Sequence, residues 1–560
     1  MNMIFGNPML DTHTYYKDME SRLDDKFIEG LIDKYLVKNT QTALITTNPK
    51  AGLLEENNEK IAQKLADKKA SMSTDEINAL VDKTKSFKEW NNIETDQSII
   101  DSLKAVSAKD IPVEVKDYNI KENNINGVKE IIADADVSGI GSTSLIFDES
   151  HLTNEELLYL NFYATLLGSD MPTKNHSSDE IKNEMTRKAC SNSFYVSTVS
   201  DNKDGTSAHP IFRFSYIGMD DDHKAVLDLS SDILLNANLD NNYDDYIRNA
   251  ISTEKQMYEY LCANPSYMAS IRSMAYDNLY NRYQSYLLGI DYNNFIIKLE
   301  KEYNENPQKV MDKIKSVRDK AFSKKNLTVL FSGNDESKNK FNNELESFIN
   351  KFNDNSYEKA SYDLPVPARR EALTTNMDVQ YMSVNSSLKN LNLTGEGKFY
   401  VLSKLLNEKL LIPQLRLNGG AYGAEASISG NMYNVYTYRD SDFANSLKVI
   451  NSSDEYIKNA SADITDSILD SYIISTYAAQ NSPQGELSGS MTALDDYLNN
   501  ITIEDKKNIL NEIKETSAES LKNSWEVLEK LNDNSNYVVV GSPDTINAHK
   551  DLFDKIIPLQ

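Results

Sequence analysis

Several features that define common protein classes are missing from this sequence of 560 residues. Its two cysteines, Cys190 and Cys262, form no C-x-x-C pair, which excludes a disulfide scaffold and predicts two free thiols. Glycine (20) and proline (13) are too few for a collagen. No apolar run reaches the roughly 18 residues of a membrane-spanning helix. Residues 1–10 lack the basic region and apolar core of a signal peptide, so a cytoplasmic location is expected.

Positive charge is also in short supply. Lys and Arg number 59 against 85 Asp and Glu, which gives a formal net charge of −26. A surface of that sign repels phosphate groups, so neither nucleic acid nor an anionic membrane is expected as a partner. It attracts basic ligands, including basic peptides, although solubility alone also explains the charge. Because 40% of the residues are hydrophobic and 26% are charged, the chain is globular, and its length allows three or four domains.

The common metal, phosphate and nucleophile motifs do not occur. H-E-x-x-H, H-x-x-E-H, G-x-x-x-x-G-K-[ST], G-x-G-x-x-G and G-x-S-x-G are all missing. His151 lies near Glu155 and Glu156, but this spacing cannot present two imidazoles to a zinc ion. Residues 220–223 (DDDH) open a helical pattern, where carboxylates favour the helix dipole. We therefore predict no metal site on this chain.

One local pattern occurs three times: an amphipathic helix, then a short β-rich strand, then a turn. The strands are Thr42–Thr47, Asn326–Ser332 and Asn536–Val540. Roughly 200 residues precede each of the last two, which is enough for a domain. Only about 40 precede the first, too few for an independent core. This spacing predicts that the chain begins inside a unit whose body is missing; the alternative is a short N-terminal extension of similar pattern.

The longer units interleave strands with helices. In the first of them, a strand at 141–148 precedes a helix at 154–167, which a capping box of Thr153 and Glu156 opens. The last unit repeats the order, with strands near 377–384 and 433–438 and a helix near 396–410. The order predicts an α+β fold of repeated α/β sandwich domains, each with helices covering one face of a mostly antiparallel sheet.

The predicted organisation is two complete units, the tail of another, and a helical-hairpin linker. Residues 53–92 read as two polar helices that divide near residues 71–73, which is typical of a hairpin rather than a core. The predicted segments are the tail of a truncated α+β domain at 1–52, the hairpin linker at 53–108, an inactive peptidase-like α+β domain at 109–352, and a C-terminal one at 353–560.

One segment, residues 414–427 (QLRLNGGAYGAEAS), could carry chemistry. Gly419 and Gly420 allow the backbone to approach another chain closely. Arg416 and Tyr422 flank them, and an irregular loop can bring both side chains to one carbonyl oxygen. A permanent cation and a neutral donor both suit a developing oxyanion. The alternative is a tight turn with a surface arginine and a packed tyrosine.

Residues 415–440 resemble the last domain of the pitrilysin/insulinase-type zinc metallopeptidases, specifically the presequence-protease branch. That branch carries R-x-x-G-G-A-Y-G before a strand that ends in Y-R-D. The matching residues are Arg416, Gly419, Gly420, Ala421, Tyr422, Gly423, Tyr438, Arg439 and Asp440. Residues 66–80 resemble the hairpin linker of the branch, and residues 123–148 resemble the opening of its third domain.

The resemblance implies four similar domains in two halves, joined by the hairpin and closing around a chamber for unfolded peptides. The first half of such enzymes carries H-x-x-E-H and binds zinc. The second half is catalytically silent, and it implies that Arg416 and Tyr422 contact the scissile region, with Gly419, Gly420 and Ala421 also contacting the substrate. The present sequence lacks the zinc-binding half.

Two functions are therefore considered. The first is the C-terminal half of a metalloendopeptidase that degrades unfolded peptides, supplying substrate and oxyanion contacts to a zinc-bearing N-terminal half of the same or a separate chain. Zinc is then expected on that other half and none on this chain, which is expected to be inactive when isolated. The alternative is a non-catalytic peptide-binding or scaffold subunit of the same fold. Self-association is also expected, because the face that meets the other half would be exposed.

Overall fold

A computed structural model describes residues 12–23, 26–48, 50–91, 93, 96–102, 107–202, 207–241, 243–393, 396–459, 464 and 466–559. The opening residues 1–10, considered above for a signal peptide, lie outside this set. The chain divides into two compact units, Met1–Lys104 and Ala105–Gln560. The finer division predicted above, with a boundary near residue 353, remains a prediction. Among the described residues no helix combines the length and apolar character needed to cross a bilayer.

The described part of the first unit contains helices only. They are α1 (Thr12–Ser21), α2 (Phe27–Ile32) with a π-helical continuation (Asp33–Val37), α3 (Leu53–Ala70), α4 (Thr74–Asn91) and α5 (Gln97–Ser102). The helical hairpin is confirmed, and Ser73 divides it: its hydroxyl accepts from the Glu76 N–H at 3.2 Å, and the Glu76 carboxylate accepts from the Ser73 N–H at 2.8 Å.

The strand predicted at Thr42–Thr47 is wrong. These residues belong to no helix or strand, and Leu44 and Ile45 are 95% and 84% exposed. A strand satisfies its backbone groups only through a neighbouring strand, and the described part of this unit offers none.

Two six-stranded sheets organise the second unit. The strands are β1 (Lys121–Ile125), β2 (Val128–Asp134), β3 (Ile140–Asp148), β4 (Ala189–Ser200), β5 (Ala208–Met219), β6 (Leu327–Gly333), β7 (Arg370–Thr374), β8 (Gln380–Ser387), β9 (Gly423–Ser429), β10 (Met432–Asp440), β11 (Asn536–Gly541) and β12 (Lys555–Pro558). Sheet 1 has the order β1-β2-β6-β3-β5-β4 and sheet 2 the order β12-β7-β11-β8-β10-β9.

The two sheets repeat one topology. Strands β2-β6-β3-β5-β4 of sheet 1 correspond in order to β7-β11-β8-β10-β9 of sheet 2. The β2–β6 and β7–β11 pairs are both parallel, and the pairs that follow them are antiparallel. The predicted α+β repeat is thus confirmed, and sequence analysis missed the short β1, β7, β9 and β12.

The helices of this unit alternate with the strands. They are α6 (Asn154–Gly168), α7 (Ser178–Lys188), α8 (His223–Asn236), α9 (Asp244–Cys262), α10 (Pro265–Met274), α11 (Leu279–Leu288), α12 (Ile290–Glu305), α13 (Pro307–Ala321), α14 (Asp335–Ile349), α15 (Glu396–Leu406), α16 (Phe443–Asn451), α17 (Ser453–Asn459), α18 (Asp466–Gln480), α19 (Glu486–Leu498), α20 (Ile503–Lys514), α21 (Ala518–Lys522), α22 (Trp525–Asp533) and α23 (Pro543–Ala548). The Thr153–Glu156 capping box that opens α6 is confirmed.

Each sheet buries one face in a large core of its own. Helices α6, α8, α13 and α14 cover sheet 1, and α15, α18, α20 and α22 cover sheet 2. Helix α6 is buried on most of its circumference, from Leu157 to Leu167, because it lies between the sheet and other helices. The predicted helical cover on one face is therefore confirmed.

The second face of each sheet receives a helix from the other part of the unit. Helix α10, which follows sheet 1 strands in the chain, packs Met268 and Ile271 against β7, β8 and β11 of sheet 2. Helix α19, which lies between sheet 2 strands, packs Leu494 against β2, β3 and β6 of sheet 1. The two sheets are therefore interlocked by exchanged helices.

A buried ion pair fixes helix α10 on sheet 2. Arg272 Nε and Nη2 donate to the two carboxylate oxygens of Glu371 on β7, at 2.6 and 3.1 Å. The Glu371 side chain is fully buried and that of Arg272 is 8% exposed. Two parallel hydrogen bonds fix the orientation of both groups, and the buried carboxylate depends on this partner.

We expect Arg272→Met to lower the free energy of unfolding by about 3–5 kcal/mol, because it leaves the Glu371 charge buried without a partner. Equilibrium urea unfolding measures the loss. Arg370→Met is the matched control, since Arg370 pairs with Asp554 at a surface where both side chains are more than a third exposed, and its loss should stay below about 1 kcal/mol. Equal losses for the two variants would show that the buried pair does not hold α10.

Candidate functional site

The segment before the glycine loop is a π-helix. Helix α15 ends at Leu406, and the chain continues in π-helical geometry over Asn407–Leu417, beyond the helix end predicted near residue 410. Long π-helical stretches are rare and often occur at functional sites. Pro413 lies inside the segment, and its carbonyl accepts from the Asn418 N–H at 3.2 Å. This geometry places Arg416 in the last turn, exposed to solvent.

The glycine loop turns the chain back against this π-helix. A Cβ on Gly419 would lie 2.6 Å from the Gln414 carbonyl oxygen and 2.8 Å from that of Leu415, so no larger side chain fits without backbone movement. Gly420 has a φ of +85°, which favours glycine. The N–H of buried Ala421 donates to the Leu415 carbonyl at 2.9 Å. The geometry of these three residues is explained by the turn, and their contact with substrate stays a prediction.

The turn brings Arg416 and Tyr422 together. The Arg416 guanidinium carbon lies 5.9 Å from the centroid of the Tyr422 ring. The Tyr422 N–H donates to the carbonyl of Tyr438 at 3.0 Å, which ties the loop to the end of β10. Tyr422 is 68% exposed. A permanent cation and a phenol thus stand side by side on a hydrogen-bonded support with both donor groups open to an incoming ligand.

The end of β10 is distorted beside this pair. The ladder with β8 shifts register between Thr437 and Asp440, and Arg439 adopts a φ of +50°. Such backbone is uncommon for a residue other than glycine and tends to cluster at functional sites. The Asp440 carboxylate is fully buried and accepts from the Asp442 N–H at 3.0 Å. The Y-R-D residues therefore form the bulge against which Tyr422 is held.

Arg416 and Tyr422 stand at one end of a groove of about 670 Å³. Helix α10 forms one wall, and the outward side chains of β9 and β10 form the other. The lining residues are Asn264, Ser266, Tyr267, Ser270, Met274, Arg416, Tyr422, Gly423, Ser427, Asn434, Tyr436 and Tyr438. The α10 wall was missed in sequence analysis, because its residues lie some 150 positions before the glycine loop and carry no motif.

The floor of the groove is neutral and aromatic. Side chains alternate along β10, so Asn434, Tyr436 and Tyr438 face the groove while Val435 faces the core. The Tyr436 hydroxyl donates to Glu425 at 2.8 Å. Burial, followed by this bond to a carboxylate, raises the pKa of Tyr436 to about 12, so the phenol stays a neutral donor near neutral pH. Tyr381 stands edge-on to Tyr438, with ring centroids 5.1 Å apart.

The histidines and acids considered as metal ligands are in structural positions. His151 Nε2 lies 3.1 Å from the Lys320 carbonyl oxygen, and the ring stacks on Tyr357. His223 is buried with Nδ1 3.1 Å from the Tyr216 hydroxyl. Within the described ranges, no group of three or more His, Cys, Asp or Glu side chains is placed to hold a metal ion.

Comparison with known families gives the class. A family model for the region associated with subfamily C of the M16 peptidases matches residues 47–299, and one described as "PreP C-terminal domain" matches residues 370–543. Together they cover most of the chain. The chain belongs to the M16 peptidases and is a C-terminal half of the pitrilysin/insulinase type, in the presequence-protease branch.

Curated relatives agree with this assignment. Protein HypA of Clostridium perfringens is 25% identical over 98% of this chain and 56% of its own length. Presequence protease 1, chloroplastic/mitochondrial, of Arabidopsis thaliana is 22% identical over 92% of this chain and 48% of its own length. The chain therefore spans about half the length of the curated relatives it matches.

Solved structures share the fold. A conserved protein from Enterococcus faecalis has a TM-score of 0.54 at 13% identity, over 76% of this chain and 99% of that one. The peptidase M16 inactive domain from Pseudomonas fluorescens has a TM-score of 0.52 at 11% identity, over 76% of this chain and 98% of that one. The chain accordingly has the fold of the non-catalytic half of a peptidase of this family.

We expect Gly419→Ala to lower the free energy of unfolding by about 1–3 kcal/mol, because the added methyl group meets fixed carbonyl oxygens. Urea unfolding measures the change. Gly168→Ala at the end of α6 is the matched control, since no described atom lies within 4 Å of the Cβ position there, and it should be neutral or slightly stabilising. Similar values for both variants would mean that the loop relaxes freely around residue 419.

Proposed function

We propose that this chain forms one half of a peptide-degrading chamber and supplies Arg416 and Tyr422 to the carbonyl of a bound peptide. The observation that carries the proposal is the adjacency of these two exposed donors at the end of a groove. A guanidinium and a phenol both donate hydrogen bonds, and donors already in place stabilise the oxyanion of a tetrahedral intermediate. Arg416 would supply the charge, and Tyr422 a neutral donor at its side.

The zinc ion of such an enzyme belongs, in this proposal, to a partner half with H-x-x-E-H. The described residues of this chain offer no ligand set for it, so holding the metal is the task of the partner half. The part of this chain is to bind and orient the peptide and to stabilise charge on its carbonyl oxygen. The expected substrate is an unfolded peptide, and the expected location remains cytoplasmic.

The first unit supports the need for a partner. Helix α4 has no buried residue, and large apolar side chains such as Leu44, Leu65 and Trp90 are between 64% and 95% exposed. Apolar surface on this scale is typical of a protein–protein interface. We infer that an N-terminal peptidase half covers it, with self-association as the competing outcome when that half is withheld.

The partner is tested by capture of the tagged chain from its native source, followed by denaturing mass spectrometry. Recovery of a polypeptide bearing H-x-x-E-H, either joined to this chain or separate, is the expected result. Light scattering of the isolated chain then reports self-association. Capture of the 63.3 kDa chain with no such polypeptide would contradict the proposal that it acts within a zinc peptidase.

In the reconstituted pair, Arg416→Ala should lower kcat/KM for an unfolded peptide by about 10²-fold and Tyr422→Phe by about 10-fold or more, because each removes one oxyanion donor. A continuous assay with a quenched fluorogenic peptide measures both. Arg187→Ala on α7 is the control, since its side chain is 72% exposed and lies outside the groove. Unchanged activity in Arg416→Ala would show that the pair has no catalytic role.

A second candidate is a peptide-binding or scaffold subunit without catalysis. It is favoured by one observation: residues 264–438 of a single unit form the whole groove, so peptide binding does not require another half. Binding of an unfolded peptide by the isolated chain, with no hydrolysis after any captured partner is added, would support this function over the first.

A further inference from the structure

A second cavity, of about 390 Å³, continues the groove along β9. Ser427 lines the groove, and Ser429, two residues further on the same face of the strand, lines the second cavity. The opposite walls come from β4 of sheet 1, from the start of α11, and from the turn after α19. The two cavities thus follow one strand from the Arg416–Tyr422 pair toward sheet 1.

The lining of this cavity is neutral in effect. Arg213 reaches into it, but Nη1 donates to Asp495 at 2.6 Å and Nη2 to the Ser144 hydroxyl at 2.9 Å, so its charge is already compensated. Most other polar groups in the lining are serine, threonine and asparagine. Neutral donors and acceptors suit the main chain of a peptide better than a charged group.

An edge of sheet 1 opens into the cavity at Thr198. Strand β4 is the outermost strand of its sheet, and Thr198 stands opposite Pro210 on β5. Pro210 has no N–H, and its carbonyl accepts from the Glu149 N–H on the other side. The main-chain groups of Thr198 therefore point away from β5, toward the open edge.

The same edge is already occupied further along. The N–H groups of Ser200 and Asn202 point the same way as that of Thr198, and they donate to the Asn499 side-chain and main-chain oxygens, at 2.9 and 3.0 Å. Asn499 thus acts as the first residue of an added strand. Thr198 is the next position along the edge, where an incoming strand would continue.

The Thr198 side chain gives an independent indication of a ligand. Its residue is 6% exposed, it lines the cavity, and its hydroxyl has no hydrogen-bond partner among the described residues. A buried hydroxyl without a partner destabilises the folded state unless something else compensates it. A bound peptide group at this position would satisfy both the hydroxyl and the neighbouring main-chain groups.

We propose that this cavity is a distal subsite for the main chain of the same extended peptide, added as a strand beside Thr198; this rests on the proposed peptide-binding function. From Gly423 to Ser429 the strand advances about 20 Å, so a peptide must have six or more extended residues to reach from Arg416 to Thr198. Because the subsite reads main-chain groups, it favours longer peptides over short ones without regard to sequence.

The test is fluorescence anisotropy with two fluorescein-labelled Ser/Ala/Thr peptides, of 5 and 14 residues, on the isolated full chain. The longer peptide should bind about tenfold more tightly. Thr198→Val should remove most of that advantage and leave the melting temperature unchanged or raised, because it deletes an unsatisfied buried hydroxyl. Asn281→Trp, which fills the cavity from α11, should remove the advantage as well.

Thr437→Val is the matched control. Thr437 is also a buried β-strand threonine whose hydroxyl has no partner within the described part of the chain, but its side chain points to the core side of β10, so the variant should leave both affinities unchanged. A length advantage that survives in both Thr198→Val and Asn281→Trp would overturn the distal subsite. Arg416→Ala should weaken both peptides equally; no binding of either peptide to the unaltered chain would instead overturn the proposed peptide-binding function.

Discussion

The bidentate pair of Arg272 and Glu371 is the interaction on which the candidate site depends. It holds helix α10 on the second face of sheet 2, over β7, β8 and β11. Because α10 stops short of β9 and β10, the outward side chains of those two strands are left beside it as the floor of a groove. Without the helix at this position, Tyr436 and Tyr438 would lie on an open sheet face with no opposing wall.

Two local devices then deliver the donors to the end of that groove. The π-helix carries the chain past Pro413 and sets Arg416 at its last turn, and the glycine turn folds Tyr422 onto the bulge at Arg439. Each device depends on a residue with special backbone properties. The position of the Arg–Tyr pair is therefore set by main-chain geometry, and a rigid support of this kind is what stabilisation of a short-lived charge requires.

The parts of this fold that rest on local chemistry were predictable. The capping box of α6, the hairpin division at Ser73 and the proximity of Arg416 to Tyr422 all follow from neighbours in the chain. The α10 wall was not predictable, because it arises from packing across about 150 residues. Strand β7 was missed because it is short and carries Glu371, whose charge is explained only by Arg272. The segment at 42–47 shows the converse: strand propensity without a neighbouring strand makes no strand.

The exchange of α10 and α19 between the two sheets has a consequence for the history of the chain. The repeated strand order indicates that one ancestral unit was duplicated. Once each copy covered the other's second face with a helix, either copy alone would have left an apolar sheet surface open to water. Descendants could lengthen loops or alter the groove, but could no longer lose one repeat and keep the other. The pair has since been inherited as one indivisible block.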